Sequence, residues 1–135
     1  MGKSRGIWID HRKAVIVTVV GGTPTLQTIL SNVEKHVRAS GGSRSSTIYG
    51  PQDILAEDRV YRKYMLHLRS YYKEIAGVIM DSEAIYIFGP GEAKHELCKH
   101  IEKLKELSRR VVGVETTDKM TDRQIVAKVK KYFRV

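Results

Sequence analysis

Three basic side chains in the middle of this chain have the spacing needed to contact one run of phosphates. Arg62, Arg69 and Lys73 stand seven and four residues apart, so a helix would carry all three on one side. Guanidinium and ammonium groups bind phosphate oxygens through charge and hydrogen bonding. The spacing predicts a phosphate-facing ridge, and the alternative is an ordinary solvated helix face.

A glycine pair flanked by arginines precedes this ridge. Gly41 and Gly42 allow a backbone to approach a sugar-phosphate chain closely, and basic side chains on either side add phosphate contacts. The alternative is a surface loop without a ligand. Loop and ridge together predict an RNA-binding site composed of Arg38, Gly41, Gly42, Ser43, Arg44, Arg62, Arg69 and Lys73.

The overall charge agrees with a polyanionic partner. The 135 residues include 24 Lys and Arg against 15 Asp and Glu, a formal net charge of +9. An excess of this kind attracts nucleic acid and favours phosphate contacts. Nucleic-acid binding is therefore favoured over a basic protein that lacks such a partner.

Carboxylates offer a competing chemistry, that of a metal-dependent ribonuclease-H-like nuclease. The acids that would be involved are Asp10, Glu57, Asp58, Asp81 and Glu83. Such nucleases cluster carboxylates around two metal ions. These acids stand at the ends of predicted elements and not within strands, which favours surface carboxylates and leaves the nuclease as the alternative.

The remaining residues predict no cofactor, metal site or catalytic residue. The five histidines lack metal-ligand spacing, and Cys98 is the single cysteine. Residues 14–20 form the longest apolar stretch, which is too short to span a bilayer, and residues 1–9 lack a signal-peptide pattern. We expect a non-enzymatic cytoplasmic protein without a membrane partner, and we assign no oligomeric state.

The apolar pattern predicts the elements that position these residues. Alternating or β-branched runs predict strands at 6–10, 14–20, 25–33, 84–88 and 110–115. Helical periodicity predicts helices over 54–79, from about 92, and after the capping box Thr121…Gln124. The predicted core stripe of the first helix consists of Val60, Tyr61, Tyr64, Met65, Leu68, Tyr71, Tyr72, Ile75, Ala76 and Ile79.

This order predicts an α/β fold with a mixed five-stranded sheet. Three antiparallel N-terminal strands precede alternating helices and strands, which pair in parallel through right-handed crossovers. The order is ribonuclease-H-like, with three helices of which the first is the longest. Residues 1–135 are expected to form one domain, and the unpatterned residues at about 36–56 to form a flexible loop.

The chain resembles the middle domain of archaeal and eukaryotic class I peptide-chain release factors and of pelota, the stalled-ribosome rescue factor. It also resembles stand-alone relatives of that domain. The resemblance rests on the order of elements, the glycine-containing loop and the basic, aromatic helix at 59–73. A further part is the sequence Ile87-Phe88-Gly89-Pro90-Gly91 leading into Lys94 and Leu97.

The resemblance implies binding to ribosomal or transfer RNA and to the ribosome, in a rescue or dormancy role. In release factors the loop carries Gly-Gly-Gln, whose glutamine works in peptidyl-tRNA hydrolysis. The corresponding residues here are Gly41, Gly42 and Ser43, so hydrolysis is not carried over. A protein-interaction domain, in which the basic faces serve solubility alone, is a further alternative.

Overall fold

Five strands form one mixed sheet at the centre of the protein. The computed structural model describes the backbone of residues 2–33 and 51–135 and the side chains of 2–33 and 57–135. The strands are β1 (Lys3–Ile9), β2 (Lys13–Val20), β3 (Thr23–Leu30), β4 (Ser82–Gly89) and β5 (Val111–Thr116). Their order is β3-β2-β1-β4-β5. The first three are antiparallel, and β4 and β5 run parallel to β1, as the sequence predicts.

Four helices complete the described part of the chain. They are α1 (Pro51–Val78), α2 (Ala93–Glu102), α3 (Lys105–Ser108) and α4 (Asp122–Phe133). Three match the predicted helices, with α1 the longest at 28 residues, and α3 is an additional four-residue helix. The predicted capping box is present at the start of α4, where Thr121 and Gln124 exchange hydrogen bonds. No helix in this part of the chain is both long and apolar enough to cross a bilayer.

The two faces of the sheet carry separate apolar layers. Ile7, Ile9, Ile85 and Ile87 pack toward α1, α2 and α3. Residues of opposite parity on the same strands, among them Trp8, Tyr86 and Phe88, pack toward α4, because successive strand residues point to opposite faces. The four residues 85–88 are fully buried, which confirms the prediction that this apolar run is an inner strand.

The start of α1 differs from the prediction in two ways. The helix begins at residue 51, three residues before the predicted start at 54, and so takes in the last part of the predicted loop. Pro51 occupies the first helical position, where its missing N–H is not needed. Val60, Tyr61 and Met65, predicted as core, are 36%, 62% and 40% exposed. The rest of the predicted loop, residues 36–50, lies outside the described residues.

The exposure of these three side chains follows from the length of α1. A helix of 28 residues extends about 42 Å at 1.5 Å per residue. An eight-residue strand such as β4 extends only about 26 Å. The sheet therefore covers α1 from Leu68 to Ala76, where the apolar stripe is buried, and the earlier turns extend beyond it.

Arg5 connects β1 to β2 and to the turn before β4. Its Nη1 donates to Oδ1 of Asp81 at 2.6 Å and to Oγ of Ser82 at 2.7 Å, and its Nε donates to Oγ1 of Thr18 at 3.0 Å. Lys3 adds a bond from Nζ to Oδ2 of Asp81 at 2.9 Å. Hydrogen bonds from Lys3 and Arg5 lower the pKa of Asp81 from 3.8 to about 2.

Replacing Gly6 by alanine should destabilise the fold by about 1–3 kcal/mol through overpacking. A Cβ at this position in β1 would lie 2.2 Å from Cγ2 of Val129 and so push α4 from the sheet. Chemical unfolding followed by the fluorescence of the single, buried Trp8 measures the effect. The matched control is Gly77→Ala, on an exposed part of α1 with nothing near the new methyl group, which should stabilise by up to about 1 kcal/mol. An unchanged Gly6→Ala midpoint would contradict the packing described.

The Asp81 carboxylate should contribute stability that is lost in acid. The pKa of Asp81 is lowered from 3.8 to about 2 in the folded protein. The stabilisation by the ionised carboxylate is therefore complete above the ordinary pKa of 3.8, and it is lost as the pH falls through the lower pKa of the folded protein. The free-energy difference between wild type and Asp81→Asn should be constant from neutral pH to about pH 5 and should shrink below that. A difference that is independent of pH would show that the ion pairs do not stabilise the folded state.

Candidate nucleic-acid interface

Three of the predicted RNA-binding residues lie on the described part of α1. Arg62, Arg69 and Lys73 are all exposed, as expected for a solvent-facing ridge. Arg62 is ion-paired within the helix, with Nη2 located 3.3 Å from Oδ2 of Asp58. The other predicted residues lie outside the described residues: Arg38, Gly41, Gly42, Ser43 and Arg44.

A groove of about 600 Å³ runs between α1 and α2 beside this ridge. From α1 it is lined by Met65, Leu68, Arg69 and Tyr72. From α2 and the residue after it, the lining consists of Glu96, Lys99, His100, Glu102 and Lys103. Of the three predicted ridge residues on α1, Arg69 lines the groove. Lys99 and Lys103 line it from the other side, and neither lysine belongs to the predicted RNA-binding site.

Basic side chains from both helices converge on His100. Burial lowers the pKa of this imidazole, and the charges of Lys103, Arg69 and Lys73 lower it further. Arg69, Lys99 and Lys103 line the groove together with this imidazole, and Lys73 follows Arg69 by one helical turn. We call Arg69, Lys73, Lys99 and Lys103 the basic rim of the groove.

The basic rim is not neutralised by ion pairs. Within the described chain, no carboxylate lies within salt-bridge distance of any of its four residues. Glu96 and Glu102 line the same groove, but neither forms an ion pair with the rim. Like charges held close together repel one another, and a bound polyanion relieves that repulsion. This property distinguishes the basic rim from Arg62, which has Asp58 beside it.

The floor of the groove is held by a hydrogen-bonded contact centred on Glu96. The hydroxyl of Tyr72 donates to Oε1 of Glu96 at 2.6 Å, and Nε2 of His11 lies 3.0 Å from the same oxygen. Burial and the bond to Glu96 raise the pKa of Tyr72, so its hydroxyl remains a donor at neutral pH. The contact joins α1, α2 and the turn between β1 and β2.

The sequence contained a signal for the missed lysines. Lys99 and Lys103 are four residues apart, as are Arg69 and Lys73, and each pair therefore lies on one side of its helix. The periodicity of one helix does not reveal which side faces another helix. That the two basic pairs border one groove is a property of the tertiary structure.

A second basic cluster lies on the opposite face of the sheet. It consists of Lys128, Lys130, Lys131 and Arg134 on α4 and at its end. Because α4 packs on the face that carries Trp8 and Phe88, the sheet separates this cluster from the α1–α2 groove. Lys128 is also paired, with Nζ located 3.6 Å from Oε2 of Glu115.

The carboxylates considered for a nuclease are dispersed. Oδ1 of Asp10 accepts hydrogen bonds from the backbone N–H groups of Arg12 and Lys13, both at 2.8 Å, and so forms the turn into β2. Asp81 pairs with Lys3 and Arg5. Asp10 follows β1 and Asp81 precedes the parallel strand β4, so they lie at opposite ends of the sheet. Across the described residues, no group of three or more His, Cys, Asp or Glu side chains is arranged to hold a metal ion.

The Gly-Pro-Gly turn after β4 has a packing role. Gly89 has φ +144°, and a Cβ there would lie 2.3 Å from the carbonyl oxygen of Ile9, so glycine is required by both backbone angle and space. Lys94 is buried, and its Nζ donates to the carbonyl oxygen of Gly91. These contacts close the turn where β1, β4 and α2 meet.

Comparisons with known proteins identify the fold. No family model and no curated protein matches the sequence. Among solved structures, pelota from Archaeoglobus fulgidus is 13% identical with a TM-score of 0.56, matching 96% of this chain and 31% of its own. Pelota from Thermoplasma acidophilum is 16% identical with a TM-score of 0.57, matching 96% of this chain and 32% of its own.

The structure of an archaeal translation termination factor is similar to the same extent. It is 12% identical with a TM-score of 0.57, and the match covers 98% of this chain and 35% of the chain of that factor. The present chain therefore spans about a third of the length of the proteins it matches. These structures confirm that the chain has the fold predicted from its sequence, which is that of the middle domain of pelota and of archaeal release factors.

Proposed function

We propose that this chain is a translation-associated protein that binds ribosomal or transfer RNA through the α1–α2 groove. The observation that carries the proposal is that Arg69 of α1 lines one groove together with Lys99 of α2 and Lys103, the residue after α2. Phosphate oxygens placed between the helices would receive charge-assisted hydrogen bonds from both sides. The net charge of +9 adds long-range attraction for such a ligand.

The fold supports a role in translation. The solved structures that share it include pelota proteins and a translation termination factor. On this proposal the chain contacts the ribosome, in a rescue or dormancy role. Because it corresponds to about a third of those proteins, the proposal concerns RNA and ribosome contact and does not include stop-codon reading.

We further propose that the chain acts by binding, without cleaving RNA or hydrolysing peptidyl-tRNA. The side chain of Asp10 serves the turn between β1 and β2, and that of Asp81 serves the ion pairs at the other end of the sheet. Ser43 stands where the related loop carries glutamine, and a serine hydroxyl does not reproduce the contacts of an amide.

Reversing two charges of the basic rim should weaken RNA binding. We expect Arg69→Glu with Lys103→Glu to reduce affinity for a ribosomal RNA fragment roughly tenfold or more at low salt, because two phosphate contacts become repulsive. The dependence of log K on log salt should flatten by about one unit per lost contact. Fluorescence anisotropy measures both, and co-sedimentation with ribosomal subunits should fall in parallel.

The matched control for this variant is Lys130→Glu with Lys131→Glu. It makes the same change in net charge on α4, across the sheet from the groove, and should have the smaller effect. If this control alone loses binding, the RNA site is on α4. Equal losses in both variants would show that only overall charge matters and would contradict a defined site in the groove.

Incubation of the purified protein with RNA and Mg²⁺ or Mn²⁺ should yield no cleavage products, and peptidyl-tRNA should remain intact. The expectation follows from the structural use of Asp10 and Asp81 and from Ser43, which follows Gly41 and Gly42 in the sequence where Gly-Gly-Gln has glutamine. Gel analysis of labelled RNA over a time course is the measurement. Metal-dependent cleavage by wild type that disappears in Asp10→Asn would establish the nuclease alternative.

A further inference from the structure

Tyr61 is a large, exposed aromatic side chain on α1, one helical turn before the first groove residue, Met65. It is 62% exposed, whereas Tyr71 and Tyr72 on the same helix are 3% and 5% exposed. Tyr61 precedes the groove residues Met65 and Leu68 by four and seven residues, so it lies on the same side of the helix. The line of groove residues on α1 thus continues to an open aromatic ring about 6 Å along the axis from Met65.

The interior of the groove differs in chemistry from the basic rim. Leu68 and Tyr72 are buried at its base, and Met65 is 40% exposed beside them. Two carboxylates, Glu96 and Glu102, also line it. Apolar and acidic groups are unsuited to phosphate but suit a nucleobase, which offers an apolar ring face and N–H donors on its edge.

We propose that the groove binds unpaired nucleotides of a single-stranded RNA segment, with a base stacked on Tyr61 and the phosphates on the basic rim. This inference rests on the proposed RNA-binding function and specifies the kind of RNA. Stacking on an exposed aromatic ring next to a cationic backbone track is the common physical basis of single-strand binding.

The size of the groove also favours a single strand over a duplex. At about 600 Å³ it is comparable to a pocket for a small molecule, roughly 300–1,000 Å³, which accommodates one or two nucleotides. A duplex keeps its bases stacked inside and presents mainly sugar and phosphate. It would therefore contact the basic rim and leave Tyr61 and the apolar base of the groove without a partner.

The test compares a labelled single-stranded 12-nucleotide RNA with a hairpin duplex of equal phosphate number, by anisotropy on the full chain. Wild type should bind the single strand at least about tenfold more tightly. Tyr61→Ala should weaken single-strand binding about 5- to 150-fold, the range expected for the loss of one stacked base. Hairpin binding and the salt slope should not change, since no phosphate contact is removed.

Two variants separate stacking from other effects. Tyr61→Phe keeps the ring and should bind as wild type does. Leu66→Ala removes an apolar side chain that is 57% exposed on the same helix but lies about 140° around it from Tyr61, and it should also bind normally.

Tyr61→Trp supplies a direct signal of contact. Stacked bases should quench the emission of the new indole, whereas Trp8, which is 2% exposed on the other side of the sheet, should not respond. The inference is overturned if Tyr61→Ala binds the single strand as tightly as wild type, or if wild type binds the hairpin and the single strand equally well. If either result is found but the Arg69→Glu, Lys103→Glu variant still loses binding, the proposal of RNA binding in the groove stands. If wild type binds neither RNA, both proposals are overturned.

Discussion

Burial of the two central strands on both faces is the constraint on which the rest of the structure depends. Alternate residues of β1 and β4 pack into two helical layers, and these layers place α1 and α2 on one side and α4 on the other. Gly6 leaves the space that Val129 occupies, so the second layer depends on a missing side chain. The separation also means that the two basic surfaces of the protein face away from each other.

Within the first layer, the position of α1 against α2 depends on polar contacts as well as apolar ones. Glu96 receives the Tyr72 hydroxyl and lies beside His11, and the Tyr71 hydroxyl donates to the carbonyl oxygen of Asp10 at 3.0 Å. Tyr71 thereby connects α1 to the residue that follows β1, and Tyr72 connects α1 to α2. These bonds fix the position of α1 against α2 and the turn after β1, and so position the groove and its basic rim.

Local patterns in the sequence predict the elements well, and the site only in part. Four consecutive apolar residues at 85–88 indicate an inner strand, and Thr121 with Gln124 indicates where α4 begins. Helical periodicity, however, shows which side of α1 is apolar and not how far the sheet extends beneath it, and Tyr61 was therefore predicted as core. That Arg69 and Lys103 line the same groove depends on how α1 and α2 meet, and no local pattern contains that information.

The length of α1 also has a mechanical consequence. The helix is anchored by the buried segment from Leu68 to Ala76, and Pro51 at its first position lies about 25 Å along the axis from Leu68 at 1.5 Å per residue. Over such a length, a tilt of about 10° at the buried segment moves the backbone of Pro51 by about 4 Å. A small separation of α1 from α2 near Arg69 is therefore amplified toward the start of the helix, where the backbone of Pro51 is displaced much further than the groove itself.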